Sequence, residues 1–504
     1  MTFALATMNY FAGDVQAAKT CTARTREGIY NGFIDKRGVQ TWLGIPYAAP
    51  PVGDLRWQAP EKLPPSDKTF DAKNFDPSPV QNRDETEAAS LLKQSEDCLT
   101  LNIWTRGAKK NLPVMVFIPG GGFVNGGTGD PLYNGANLAA NHDALIVTIN
   151  YRLNIFGFMN FAAIDSAFAD SGYLGIKDQI AALAWVKENI SNFGGDPDNI
   201  TIFGESAGAG SVMFLMILPA AQGLFQKAIA QSGHLGFYHT PEESIALAEK
   251  FMELGGYKNM RELMKKPTRE ILATYQKLCE ERPFATEVDY FPTCDGKFLP
   301  EHPFRALKDG AARGIKFMTG TTAEEYRYWN LYDETFTDNI ALFQAEVYPL
   351  VYEGEILNVE ELYQAWQKNS GGDYLDFVNQ LNWRVGQELT AEYQSAFNDV
   401  YFYLFSQKSP NELLGSCHAI DLPFVFGNPS EDIEPNPSAH LVKEVQSAWV
   451  NFATNGTPRA DWKKYSAADR QTMEINSAAW TCHKDLNTDN LTALRGVYED
   501  NLLD

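Results

Sequence analysis

The chain has 504 residues, 44% hydrophobic and 21% charged, the proportions of a globular protein with enough apolar material for a large core. Its net charge of −22 excludes the basic footprint that a nucleic-acid or anionic-membrane surface needs. The cysteines Cys21, Cys98, Cys279, Cys294, Cys417 and Cys482 form no C-x-x-C pair and no zinc spacing, so no disulfide framework or metal site is expected, though a lone bridge such as Cys279–Cys294 stays open.

The first twenty residues lack a basic n-region, and Asn9 and Asp14 interrupt them, so no signal peptide is assigned. No run of about 20 apolar residues occurs, so no membrane span is expected. N-x-S/T sequons start at Asn189, Asn199, Asn455 and Asn490; a chain of this length produces a few by chance, and they do not imply secretion. A cytoplasmic location is the expectation.

In chain order, "VMVFIP" (114–119) is an apolar strand-like run that ends in Gly120-Gly121-Gly122, and "ALIVTINY" (144–151) is another. "KDQIAALAWVKENI" (177–190) has apolar residues at helical spacing and stops at Gly194-Gly195-Asp196-Pro197. "NITIF" is a short strand before Gly204-Glu205-Ser206-Ala207-Gly208, and an apolar helix follows. "FQKAIAQSG", "IKFMTGTT" and "DVYFYLFSQ" are later strands, and "HLVKEVQSAWVNFATNG" is a helix that ends at Gly456. Buried strands alternating with helices predict an α/β fold, a mostly parallel sheet covered on both faces. Residues 240–310 and 334–394 read as helical, charged, cap-like insertions on one domain that spans 1–504.

The pentapeptide G-x-S-x-G is a weak signal alone. Between a strand and a helix it predicts a sharp turn that exposes Ser206, with the helix N-terminus favouring negative charge beside it. An acyl-transfer serine also needs oxyanion donors. The Ala207 N–H is one, and the glycine loop at 120–122 supplies others. That loop lacks the G-K-[ST] and G-x-G-x-x-G patterns of phosphate binders. A base must follow Ser206 with an acid between them, which leaves His418, His440 and His483; the loop after "DVYFYLFSQ" favours His418. Glu324 and Glu325 lie just past a strand, and pattern alone leaves the choice between them open. Phe123, Phe156, Tyr326 and Trp329 are candidate gorge linings.

"SEDCLTLNIW", "TWLGIPYAAPPVGDLRWQAPE", "YLGIKDQIAALAWVKENISNFGGDPDNITIFGESAG", "CHAIDLPFVFGN" and "SAWVNFATNGTP" together resemble the type-B carboxylesterase family, which includes cholinesterases and bacterial esterases. The resemblance implies the α/β-hydrolase fold, helical insertions and a serine esterase that needs no cofactor or metal. By position it implies Ser206 as nucleophile, His418 as base and Glu325 as acid. Gly121, Gly122 and Ala207 are the implied oxyanion donors, with Ser232 behind the triad; Glu205 is either a motif spacer or a charge near the active site. Tyr326 stands where the family usually has glycine. "EAASLLKQSEDC" lacks both the tryptophan that holds a quaternary ammonium in cholinesterases and the cysteine partner of Cys98, which points away from choline esters. The expected substrate is a small-molecule ester. An aryl-ester, feruloyl-type esterase and a catalytically silent binding protein are the alternatives.

Overall fold

Along the run Leu112–Ile118 the side chains of Val114, Val116 and Ile118 enter one apolar layer, and those of Met115 and Phe117 enter the other. This two-residue alternation, buried on both faces, marks a central strand between two layers of helices. The computed structural model describes residues 19–82, 92–107, 109–281, 290–346, 351–352, 355–356, 359–486 and 494–495. Residues 1–18 and the sequon at Asn490 lie outside them.

Thirteen strands form the main sheet: β1 (Lys19–Arg24), β2 (Ile29–Ile34), β3 (Gln40–Pro46), β4 (Thr69–Asp71), β5 (Thr100–Thr105), β6 (Leu112–Ile118), β7 (Leu145–Ile149), β8 (Gly195–Glu205), β9 (Lys227–Gln231), β10 (Lys316–Thr322), β11 (Val400–Phe405), β12 (Thr472–Ile475) and β13 (Trp480–His483). The spatial order is β1-β2-β3-β5-β7-β6-β8-β9-β10-β11-β12-β13, with β4 on the flank of β2. From β7 to β12 every pairing is parallel; the strands beyond them on either side pair antiparallel, except β4, which joins β2 in parallel. Helices α1 (Leu174–Asn189), α2 (Ala207–Ile217), α3 (Pro241–Gly255), α4 (Thr268–Glu280), α5 (Val359–Ser370), α6 (Tyr374–Asn379), α7 (Val385–Ser395) and α8 (Ala439–Asn455) pack around it.

The helix read at 177–190 starts earlier, at Leu174. Gly175 resembles a breaker in the sequence, but a Cβ there would lie 2.3 Å from the Phe158 ring, so the glycine answers a close approach rather than a turn. The other end agrees with its stop signal: a 3₁₀ turn over Ile190–Phe193 closes on Gly194 at φ 96°. Inside α1, Asp178 is fully buried and takes hydrogen bonds from Arg152 Nε and Nη2 at 2.8 and 2.7 Å. This pair ties the helix to the loop after β7. The helix expected at 440–456 spans Ala439–Asn455 and ends at Gly456. All six cysteines, Cys279 and Cys294 included, are free thiols.

The C-terminal ends of β6, β8, β9 and β10 lie side by side, because these strands are parallel neighbours. The loops that leave them therefore meet at one edge of the sheet, where ligands of open α/β sheets bind.

Candidate active site

β8 ends at Glu205 and α2 begins at Ala207, so the single residue Ser206 makes the whole turn. It does so at φ 57° and ψ −124°, a strained setting for a side chain with a Cβ. Neighbouring backbone leaves no alternative. A Cβ on Gly208 would lie 2.1 Å from the Ile118 oxygen, and one on Gly204 would lie 2.5 Å from the Gly208 carbonyl. The Ser206 N–H donates to Gln231 O at 2.9 Å, which ties the elbow to β9. Ser206 is half-buried.

The glycine loop after β6 lies against this elbow, with the Cβ position of Gly120 3.1 Å from Ser206 Cβ. Gly121 and Gly122 both take positive φ, 101° and 59°. The Gly121 oxygen turns back to accept the N–H groups of Val124 and Asn125, each at 2.9 Å. Gly121 and Gly122 lie in this loop, and Ala207 is the first residue of α2.

The adjacent carboxylates past β10 part company. Glu324 is bound outward, to Arg327 Nε at 2.8 Å and the Ser416 N–H at 2.8 Å. Glu325 is buried; its Oε1 accepts the Thr322 N–H at 2.8 Å, and its Oε2 meets His418 Nδ1 at 2.6 Å. The His418 N–H donates to Glu325 O at 3.1 Å, a second tie between the two loops. Of the other histidines considered, His440 is exposed and His483 pairs with Glu474 at 2.9 Å.

The other imidazole nitrogen, Nε2, lies 3.0 Å from Glu205 Oε1. Among the described residues no hydrogen bond joins Ser206 Oγ to the imidazole. His418 therefore sits between two carboxylates. Burial acts to lower its pKa, but Glu205 and Glu325 outweigh it and hold the ring up at about 9. Ser232 is fully buried at φ 50°, and its N–H donates to Gly320 O at 2.9 Å.

Side chains that the motifs did not single out complete the surroundings. Asp421 is fully buried beside the triad and accepts from Gln231 Nε2 at 2.8 Å and the Tyr403 hydroxyl at 3.0 Å. Burial raises its pKa to about 6. Its spacing three residues after His418 is the only hint in the chain. The Trp383 ring lies 4.5 Å from the His418 ring, centroid to centroid, with Trp329 at 5.6 Å and Tyr328 at 5.9 Å. Rings continue from Trp383 through Phe237 (5.8 Å) and Phe291 (5.6 Å) to Phe123 (6.1 Å), the residue after the glycine loop. Of the expected linings, Trp329 and Phe123 belong to this arc and Tyr326 packs on Trp329 and Trp383. Phe156 instead stacks on Trp57 at 5.9 Å.

Residues 19–493 match the family model described as the carboxylesterase family. The chain belongs to the carboxylesterase family. It is 37% identical to the para-nitrobenzyl esterase of Bacillus subtilis (strain 168) over 90% of this chain and 94% of that protein. It is 33% identical to the fumonisin B1 esterase of Sphingopyxis macrogoltabida over 88% and 84% of the two lengths. Among solved structures, a Geobacillus stearothermophilus carboxylesterase superposes with a TM-score of 0.82 at 34% identity, covering 94% of this chain and 99% of that one. The architecture is the α/β-hydrolase fold, and this carboxylesterase-family chain is a serine carboxylic ester hydrolase acting on small-molecule esters. Neither the feruloyl-type nor the silent-binding alternative is favoured. Among the described residues no helix is long and apolar enough to cross a membrane.

Proposed function

We propose that Ser206 is the nucleophile, His418 the base and Glu325 the acid that orients it, with the amides of Gly121, Gly122 and Ala207 as the oxyanion hole. The observation that carries this reading is the 2.6 Å contact of Glu325 Oε2 with His418 Nδ1 beside a serine held at positive φ. Ser206 Oγ attacks the ester carbonyl as His418 Nε2 takes its proton, and the three amides receive the negative oxygen. The tetrahedral adduct collapses, His418 protonates the leaving alcohol, and an acyl-serine remains. Water, deprotonated by the same imidazole, then releases the acid and restores Ser206.

To deliver its lone pair to Ser206, His418 must leave the Glu205 side and shed the proton this pair favours. Free enzymes commonly tighten such contacts only with substrate bound. Ser232 and Glu205 act behind the triad, Glu205 by charge and Ser232 by bracing the elbow through its tie to β10. The whole chain is one catalytic domain, with 240–310 and 334–394 as insertions on it. The aromatic arc from Trp383 to Phe123 supports uncharged, apolar esters as substrates. The free thiols fit a reducing, cytoplasmic location, which cell fractionation would check.

The test is a panel of acetyl, butyryl, octanoyl and feruloyl nitrophenyl or methyl esters, run on the wild type and Ser206→Ala. Turnover of one or more esters that disappears in Ser206→Ala, together with fluorophosphonate labelling of the wild type alone, is the expected result. Near-wild-type turnover by Ser206→Ala would end the reading.

A further inference from the structure

His234 is a buried histidine that ester hydrolysis, as described above, leaves unused. It lies three residues past β9, in the loop that follows Ser232. Its hydrogen bonds define its tautomer. The Gly236 N–H donates to Nδ1 at 3.0 Å, so Nδ1 carries the lone pair. Nε2 therefore carries the proton and donates it to the Asn382 carbonyl at 2.9 Å. Burial keeps the ring neutral, with its pKa lowered to about 4. The ring is packed tightly between Phe237, at 4.5 Å, and the backbone of Gly386, where a Cβ would lie 2.8 Å from His234 Cγ.

Asn382 is not in ordinary helix. Between α6 and α7 the residues Gln380–Arg384 form a π-helical turn, closed by the Val385 N–H reaching back five residues to Gln380 O. Such turns are rare and recur at functional sites. The Asn382 side chain is anchored as well: its amide donates to the Tyr326 hydroxyl at 2.8 Å and to Gln344 Oε1 at 2.7 Å. The next residue is Trp383, whose ring lies on His418. The Trp383 Nε1 is buried and makes no hydrogen bond among the described residues. Its indole is therefore placed by ring packing and by the backbone that carries it.

We propose that His234 is a positioning residue for the catalytic base: by holding the Asn382 carbonyl it fixes the π-turn, and the π-turn sets Trp383 against His418. An aromatic ring 4.5 Å from the imidazole and inclined at 46° to it restricts its movement and favours the positive charge it acquires when it takes the serine proton. This rests on the assignment of His418 as the base.

The test is a double-mutant cycle on a nitrophenyl ester. His234→Phe keeps a ring in the cavity but leaves Asn382 O without its donor; kcat is expected to fall about tenfold with KM within about twofold of wild type. His234→Gln can donate its amide to Asn382 O and is expected to restore most of the loss. In a Trp383→Leu background, His234→Phe should change kcat by less than about twofold, because the element it acts through is gone. Full additivity, equal losses for the Gln and Phe variants, or a loss carried by KM alone would overturn the proposal. If His234→Phe is not recovered folded, His234→Asn, too short to reach Asn382 O, takes its place in the same cycle. Ser206→Ala separates the two levels. Retained turnover there removes the base assignment itself, whereas an inactive Ser206→Ala with an additive cycle removes only the His234 role.

Discussion

Ser206 is held by backbone, and His418 is held by side chains. Around Ser206 the contacts are the peptide of Gly208 against Ile118 O, the Gly120 loop and the Gln231 carbonyl. Around His418 they are Glu325, Glu205, Trp383 and Trp329, brought from separate loops. A place built from backbone tolerates no added atom but is indifferent to nearby charge. A place built from side chains tolerates small changes of volume but responds strongly to charge.

The strongest way to break this contrast is at the charge of the base. Glu325→Gln keeps the shape but should lower kcat by about 10⁴-fold, since the amide favours the wrong imidazole tautomer; nitrophenyl ester kinetics beside a thermal melt would show lost activity with little lost stability. On the serine side the opposite is expected. Gly208→Ala adds one uncharged atom, yet its Cβ would meet the Ile118 oxygen at 2.1 Å. Stability should fall by about 2 kcal/mol or more in denaturant unfolding, with activity falling alongside.

Glu205 sharpens the comparison through pH. The base works only when neutral, and its pKa of about 9 means that kcat/KM should rise as pH increases through that value. Glu205→Gln removes one of the two carboxylates and should move this acid limb down by about one unit, visible in a pH–rate profile. The sign for stability is opposite. The charged imidazole contributes stability that is fully present below the unfolded pKa of about 6.5 and is lost as pH rises through the folded value. The smallest effect is expected next door. Glu324→Gln disturbs a partly exposed pair with Arg327, so stability should change by no more than about 1 kcal/mol and kcat by less than a few fold.

The same contrast explains what could be read from the chain. The serine side is contiguous: strand, glycines, serine and helix stand in order within "NITIFGESAGAGSV", and the three glycines end an obvious strand. The histidine side is assembled across distance. Adjacent Glu324 and Glu325 look alike in sequence; only the fold turns one toward Arg327 and the other toward His418. Asp421 is not singled out in the sequence; its partners Gln231 and Tyr403 come from β9 and β11. Trp383 lies in a stretch legible only as charged helix, because a single π-turn shifts the register without altering the periodicity around it. The short, partly polar N-terminal strands carried too little pattern to be drawn in advance, whereas the apolar parallel strands were plain.

The strand order has a consequence for how the protein matures. Ser206 follows β8, which lies between β6 and β9, and His418 follows β11, which is joined to β9 through β10, so the site draws on five neighbouring strands. These are distant parallel pairings, the slowest kind to assemble. The reactive centre therefore exists only once the middle of the sheet is complete. In a refolding time course, recovery of ester turnover should lag the early rise of tryptophan fluorescence, which makes catalysis a late and selective clock for folding.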